Sequence, residues 1–160
     1  MKMRAPKIRV KKKVFQNKGD GLCFSACIAS LMGISLTDVP CFWDDDKGDR
    51  TKRADISDNA RQWLKDQGYV FWELRWDREE LGCQHEPCPC ILSGKSPRGV
   101  MHAVVGEFFT IEDGEMKGHH AAQMIHDPHP SNVGIKEILW IGFLLPTSIL
   151  HIPSIRGRKD

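Results

Sequence analysis

Apolar residues along the chain follow a helical period first and a strand-like period later. Residues 23–32 are small or apolar, end at Gly33 and predict a buried helix. Residues 34–40 predict a short helical turn. Residues 57–68 combine an N-cap serine, one apolar face and a glycine stop, which predict a surface helix. The polar stretch 43–53 between these elements predicts a surface segment.

The later part of the chain has the composition of strands. Residues 69–76 alternate in part and are rich in aromatic and β-branched side chains. Further apolar runs predict strands at residues 8–15, 90–93, 101–108, 122–127 and 137–145. Helices followed by a series of strands predict an α+β fold.

Composition adds bounds to this pattern. The 160 residues, of which 41% are hydrophobic and 28% charged, suffice for a single domain over residues 1–160. We expect residues 1–13 to form a basic arm or an edge strand, and residues 154–160 a frayed tail. A net charge of +2 gives no reason to expect a nucleic-acid partner.

Several features favour a cytoplasmic protein. No apolar run approaches the roughly 18 residues of a membrane span, and no signal-peptide core follows the basic residues 1–13. We therefore expect no membrane partner. The six cysteines are expected to be thiols, metal ligands or core residues rather than disulfides.

Cys23 stands where a nucleophile is expected. A glycine-rich turn over residues 16–22 leads into the first predicted helix, whose first turn carries the thiol. The helix dipole and the free backbone N–H groups at that end are expected to lower the pKa of the thiol. Cys27, one helical turn further on, is expected to be a core residue.

A base and an orienting acid follow in the strand region. His102 begins an apolar strand just after a Pro/Gly turn, and Asp127 ends another strand about 25 residues later. An imidazole can take the thiol proton, and a carboxylate can hold the imidazole in the required tautomer. Gln16 precedes Cys23 by seven residues, and its side-chain amide is a candidate oxyanion donor.

With these residues in place, the chain resembles the papain-like cysteine peptidases, especially small proteins related to the bacteriocin-leader peptidases. More narrowly, it is similar to a family of small bacterial and phage proteins of unassigned function. The shared motifs are CFSACIASLMGISLTDVP at 23–40, ILSGKSPRG at 91–99, HAVV at 102–105 and HDPHPS at 126–131.

The resemblance implies an antiparallel sheet packed against the helix that bears the nucleophile. It implies Cys23 as nucleophile, His102 as general base, Asp127 as orienter and Gln16 in the oxyanion hole. The expected activity is hydrolysis of a peptide or isopeptide bond in a peptide or protein substrate, without a cofactor, in the cytoplasm of a bacterium or of a phage-infected cell. Amidase or acyltransferase chemistry would use the same residues.

Three further residues are candidates for substrate binding. Arg98 lies in the turn before His102 and can bind a carboxylate or a phosphate. Phe24 follows the cysteine where the leader peptidases have a small glycine-containing turn, so the neighbouring pocket is expected to differ. Trp43, beside three aspartates, is a candidate for the site entrance.

The sequence is also compatible with two other functions. One is a catalytically idle binding protein, such as a phage-type inhibitor of a host factor. Another is a zinc-dependent hydrolase, with ligands from either of two clusters. The first cluster comprises Cys83, His85, Cys88 and Cys90; the second comprises His102, His119, His120, His126, Asp127 and His129.

Four tryptophans fall within predicted helices or strands. In such positions tryptophan usually anchors a core, because its large ring gains much from burial. We therefore expect core positions for Trp63, Trp72, Trp76 and Trp140.

Overall fold

Helices come first and strands later in the structure. The computed structural model describes residues 10, 12–16, 22–42, 53–76 and 87–150. In these ranges two α-helices and five strands follow one another: α1 Cys23–Met32, α2 Arg53–Asp66, β1 Tyr69–Arg75, β2 Cys88–Lys95, β3 Met101–Thr110, β4 His120–His126 and β5 Glu137–Pro146. Short 3-10 helices occupy Leu36–Asp38 and Thr147–Leu150. The predicted α+β class is confirmed.

The five strands form one antiparallel sheet in the order β1-β5-β2-β3-β4. A tight turn joins β2 to β3, in which the Ser96 N–H donates to the Val100 carbonyl at 3.0 Å. Gly99 adopts a φ of 79° in this turn, a conformation that glycine takes without steric cost. The turn places His102 at the start of β3.

Both helices pack on one face of the sheet. Alternation along β3 sends Ala103 and Val105 toward α1, where they join a core with Ile28, Ile91 and Phe71. α1 is buried over most of its length because its residues are small and apolar, which lets it lie close to β2 and β3. This packing holds the N-terminus of α1 against the sheet.

The opposite face of the sheet has its own apolar cluster, built from alternate positions such as Val104, Phe108 and Phe143. The Trp76 ring lies 6.2 Å from the Phe108 ring, although β5 and β2 separate β1 from β3. The sheet is therefore strongly curled around this second cluster, as its twist allows.

Most predicted elements are present, with shifted ends. α1 has the predicted bounds, whereas α2 begins four residues earlier than predicted. β2 extends beyond the predicted 90–93 and includes Pro89. Proline is tolerated there because β5 pairs with β2 only from Ile91 onward, so Pro89 lies on a locally open edge.

The strand predicted at residues 8–15 is wrong for the part that the structure describes. Val10 and residues 12–16 have no regular secondary structure. Their backbone groups bond to side chains and to a loop instead: the Val14 N–H donates to Ser30 Oγ at 3.1 Å, and the Gln16 N–H donates to the Pro128 carbonyl at 3.0 Å. The arm at 1–9, the polar segment at 43–52 and the tail at 154–160 lie outside the described residues.

The core prediction for the tryptophans is only half right. Trp63 and Trp76 pack against the two apolar clusters, but Trp72 is 50% exposed and Trp140 is 41% exposed. Trp72 lies on β1 and faces away from α1, against Phe143. Trp140 lies on β5, on the α1 face of the sheet but beyond β2 and β3, the strands that α1 covers. Among the described helices, none is both long and apolar enough to cross a membrane.

Candidate active site

The Cys23 thiol lies at the N-terminus of α1, half-buried against the sheet. Burial raises the pKa of this thiol, and the backbone N–H groups of Ala103, Phe24 and Cys23 and the charge of Arg98 offset that rise only in part. The expectation of a lowered thiol pKa at the helix end is therefore wrong. Desolvation outweighs these hydrogen bonds and the Arg98 charge, so a base would be needed to ionise the resting thiol at neutral pH.

His102 lies on β3, one residue before the strand position that faces this thiol. The Cys23 sulfur faces the backbone N–H of Ala103, the residue that follows His102 on β3. The His102 ring is buried, and its Nε2 lies 2.7 Å from Asp127 Oδ1. An ionised carboxylate can only accept hydrogen bonds, so Nε2 must carry the proton and donate a hydrogen bond to Asp127. Nδ1 is then unprotonated and can accept a proton.

Asp127 is held as a buried carboxylate by three donors. Besides His102, the His129 N–H donates to Oδ1 at 2.8 Å and the Gly134 N–H donates to Oδ2 at 2.8 Å. Burial alone would raise the pKa of the carboxyl, but these hydrogen bonds outweigh it and lower that pKa. The loop after β4 curls around the carboxylate with help from Asn132 and Gly134, whose φ angles are 50° and 67°.

Gln16 lies beside the end of β4. Its backbone N–H donates to the Pro128 carbonyl, next to Asp127, and its side chain is 6% exposed. The Oε1 atom is buried without a hydrogen-bond partner among the described residues. A buried amide oxygen without a partner is costly. The structure thus brings Gln16 to the Asp127 side of the candidate site.

The predicted substrate-binding residues are distributed differently. Arg98 is exposed in the β2–β3 turn, and its charge acts on the Cys23 thiol. Phe24 packs edge-on against Phe71, with ring centroids 5.6 Å apart, on the side of α2. Trp43 lies outside the described residues.

His129 also neighbours the site. From the sequence it was predicted only as a possible metal ligand. Its ring centroid lies 6.0 Å from that of His102, in an edge-to-face arrangement. The Ser131 N–H donates to His129 Nδ1 at 3.0 Å, which fixes the ring. The signal was present in the sequence, because an Asp-Pro-His segment allows the aspartate to accept the N–H two residues on.

The metal interpretation gains no support from the described residues, where no group of three or more His, Cys, Asp or Glu side chains could hold an ion. Cys88 and Cys90 belong to the apolar cluster on the face away from the helices. Burial raises the pKa of Cys88 to about 11 and that of Cys90 further. Cys83 and His85 lie outside the described residues.

The second histidine cluster is dispersed by other contacts. His126 Nε2 donates to the Val14 carbonyl at 2.8 Å, and the His120 ring stacks on Phe108 with centroids 5.2 Å apart. The predicted core position of Cys27 is confirmed, since it is fully buried and burial raises its pKa well above the ordinary value. Cys41 is exposed.

Cys23, His102 and Asp127 thus come from α1, β3 and the end of β4. The Cys23 sulfur faces the N–H of Ala103, and the preceding residue, His102, contacts Asp127. Comparison with protein-family models, curated proteins and solved structures finds no match to the chain.

Proposed function

We propose that the chain is a thiol-dependent hydrolase that cleaves a peptide or isopeptide bond through Cys23, His102 and Asp127, on a papain-like scaffold. The observation that carries the proposal is the buried 2.7 Å contact between His102 Nε2 and Asp127 Oδ1. That contact commits Nε2 to donating and reserves Nδ1 for a proton from the thiol. Among the described residues His102 forms its hydrogen bond through Nε2, and the next residue, Ala103, faces the Cys23 sulfur through its N–H.

The chemistry follows from the atoms that are available. Cys23 Sγ attacks the carbonyl carbon as its proton passes to His102 Nδ1, and a tetrahedral oxyanion forms. The intermediate collapses to a thioester as His102 returns the proton to the leaving amine. Water then attacks the thioester with His102 as base, which releases the acid and restores the thiol.

Charge on the intermediate needs donors near Cys23. No side chain of the described residues caps the first turn of α1, and the Cys23 and Phe24 N–H groups face the sulfur; in the proposal they donate to the oxyanion. The side-chain amide of Gln16 is the second donor in the proposal. Asp127 stabilises the imidazolium that forms when His102 takes the proton.

The proposal predicts selective reactivity of one thiol. Cys23 should react with iodoacetamide faster than the other five cysteines at neutral pH, because His102 can take up its proton while Cys27 and Cys90 are buried without a base. The measurement is mass-spectrometric mapping of labelled peptides over time and pH. Equal labelling of all accessible thiols would contradict an activated nucleophile and would favour the idle binding protein.

Gln16→Ala separates the oxyanion role from thiol activation. Hydrolysis of p-nitrophenyl acetate should slow by about 10²-fold to 10³-fold, since one donor to the oxyanion is lost. Alkylation of Cys23 by iodoacetamide should stay unchanged, because that displacement develops no oxyanion. An equal decrease in both rates would instead assign Gln16 a structural role at the end of β4.

A further inference from the structure

A row of side chains crosses the sheet at the level of Cys23. The register pairs Ala103 on β3 with Ser93 on β2, Ser93 with Trp140 on β5, and Trp140 with Arg75 on β1. Residues directly opposite each other in antiparallel pairs share a face, and Ala103 belongs to the helix-side core. These four residues, here called the rim row, therefore lie on the same face as α1.

Burial falls steadily along the rim row. Ala103 is buried beside Cys23, Ser93 is half-buried, Trp140 is 41% exposed and Arg75 is exposed. The neighbouring row toward the helices is covered, since Phe71 packs where a side chain at position 142 would otherwise stand. The rim row is thus an open strip of sheet that starts at the thiol.

The far border of the strip is polar. On that side Lys95 and Glu137 form an ion pair at 3.3 Å. Arg75, at the open end, makes no ion pair with a described residue. With Arg98 near the thiol, the strip has a cation close to each end, which complements an acidic ligand.

From this alignment we propose that Trp140 determines substrate specificity, by packing against an apolar, preferentially aromatic, side chain of an extended peptide substrate whose next residue is acidic and meets Arg75. The inference rests on the proposed function of Cys23. Two strand spacings of about 4.8 Å separate β3 from β5, and an extended peptide advances about 3.3 Å per residue. The residue that meets Trp140 is therefore about the third from the attacked carbonyl.

Peptide electrophiles test this directly. The first pair of probes is acetyl-Asp-Phe-Ala-Gly-chloromethyl ketone and the same peptide with Ala in place of Phe. A second pair consists of epoxysuccinyl peptides with the same Phe-to-Ala change, which place the peptide on the other side of the scissile bond. In one of the two pairs the wild type should be inactivated about threefold to tenfold faster by the Phe probe, as stacked aromatic pairs allow. Trp140→Ala should bring that ratio to about one.

Trp72→Ala is the matched control, because it removes another exposed tryptophan, which packs against Phe143 on the opposite face of the sheet. It should keep the Phe preference, and both variants should keep the wild-type rate with iodoacetamide, which is too small to reach Trp140. A Phe preference in neither pair, or one that persists in Trp140→Ala, would overturn the inference.

Failure of the proposed function would look different. In that case Cys23 would show no enhanced iodoacetamide rate in any variant, and the electrophiles would not label it selectively. Titration calorimetry of the same peptides, as amides, into Cys23→Ala still reports on the subsite. Weaker binding of the Phe peptide to Cys23→Ala/Trp140→Ala than to Cys23→Ala would support the subsite, and equal binding would exclude it.

Discussion

Replacing His102 by alanine is expected to slow alkylation of Cys23 by iodoacetamide about 100-fold at pH 7. Burial raises the pKa of the thiol above its ordinary value. Without a base, at most about 3% of the thiol is then ionised at neutral pH. With His102 in place, Nδ1 accepts the proton and supplies the thiolate at the same pH.

The pH dependence gives the same prediction a second readout. In His102→Ala only the thiolate fraction controls the rate, so the rate should rise about tenfold per pH unit between pH 7 and 9. The wild-type profile should be much flatter over this range. The exposed Cys41 serves as an internal control whose alkylation should not change with the substitution. Parallel profiles for Cys23 in both proteins would remove His102 from the mechanism.

Asp127→Asn is expected to lower the rate of p-nitrophenyl acetate hydrolysis by about 10³-fold to 10⁴-fold. The carboxylate accepts from His102 and His129 on one oxygen and from Gly134 on the other. An amide has only one oxygen, so in either orientation at least one of these donors meets an N–H group. The imidazolium also loses its counter-charge, and the reversed orientation of the amide would move the His102 proton to Nδ1.

Stability should change far less than activity in Asp127→Asn. One unsatisfied buried donor costs about 1–3 kcal/mol, which urea unfolding followed by circular dichroism can measure. Asp113→Asn, in an exposed turn, is the matched control and should leave both quantities unchanged. Undiminished hydrolysis in a folded Asp127→Asn would mean that another group orients His102.

The loss of stability in acid should also depend on the Asp127 carboxylate. The pKa of Asp127 is lowered in the folded state, so its contribution to stability is present above the unfolded value of about 3.9. That contribution is lost as the pH falls through the lower folded pKa. The acid-induced loss of stability should accordingly be smaller in Asp127→Asn than in the wild type.

Local patterns were sufficient to predict α1 and the contact between His102 and Asp127. The helix is marked by a run of small and apolar residues and a glycine stop, and its bounds were predicted to the residue. His102 and Asp127 were recognised because each lies at an end of a strongly apolar strand. Strand ends along one sheet edge are brought together by the antiparallel order, which the sequence implied only in outline.

Features that depend on contacts between distant parts of the chain could not be predicted from the sequence. The raised pKa of Cys23 depends on how deeply the sheet covers the thiol, and no local pattern reports that depth. The exposure of Trp140 likewise depends on register: its partners Ser93 and Arg75 lie where the helix layer ends. The missing strand at residues 12–15 reflects competition by Ser30 and His126 for backbone groups that a ladder would have used.

The contacts of residues 14–16 also have a bearing on when the site forms during synthesis. Val14 accepts a hydrogen bond from His126, and Gln16 donates to the Pro128 carbonyl. A nascent chain therefore carries its thiol early, but His102 follows Cys23 by 79 residues and Asp127 follows it by 104. Pairings so distant in sequence form late in folding. If the proposed function holds, hydrolytic activity appears only once the fold is complete, so the growing polypeptide is not cleaved by its own Cys23.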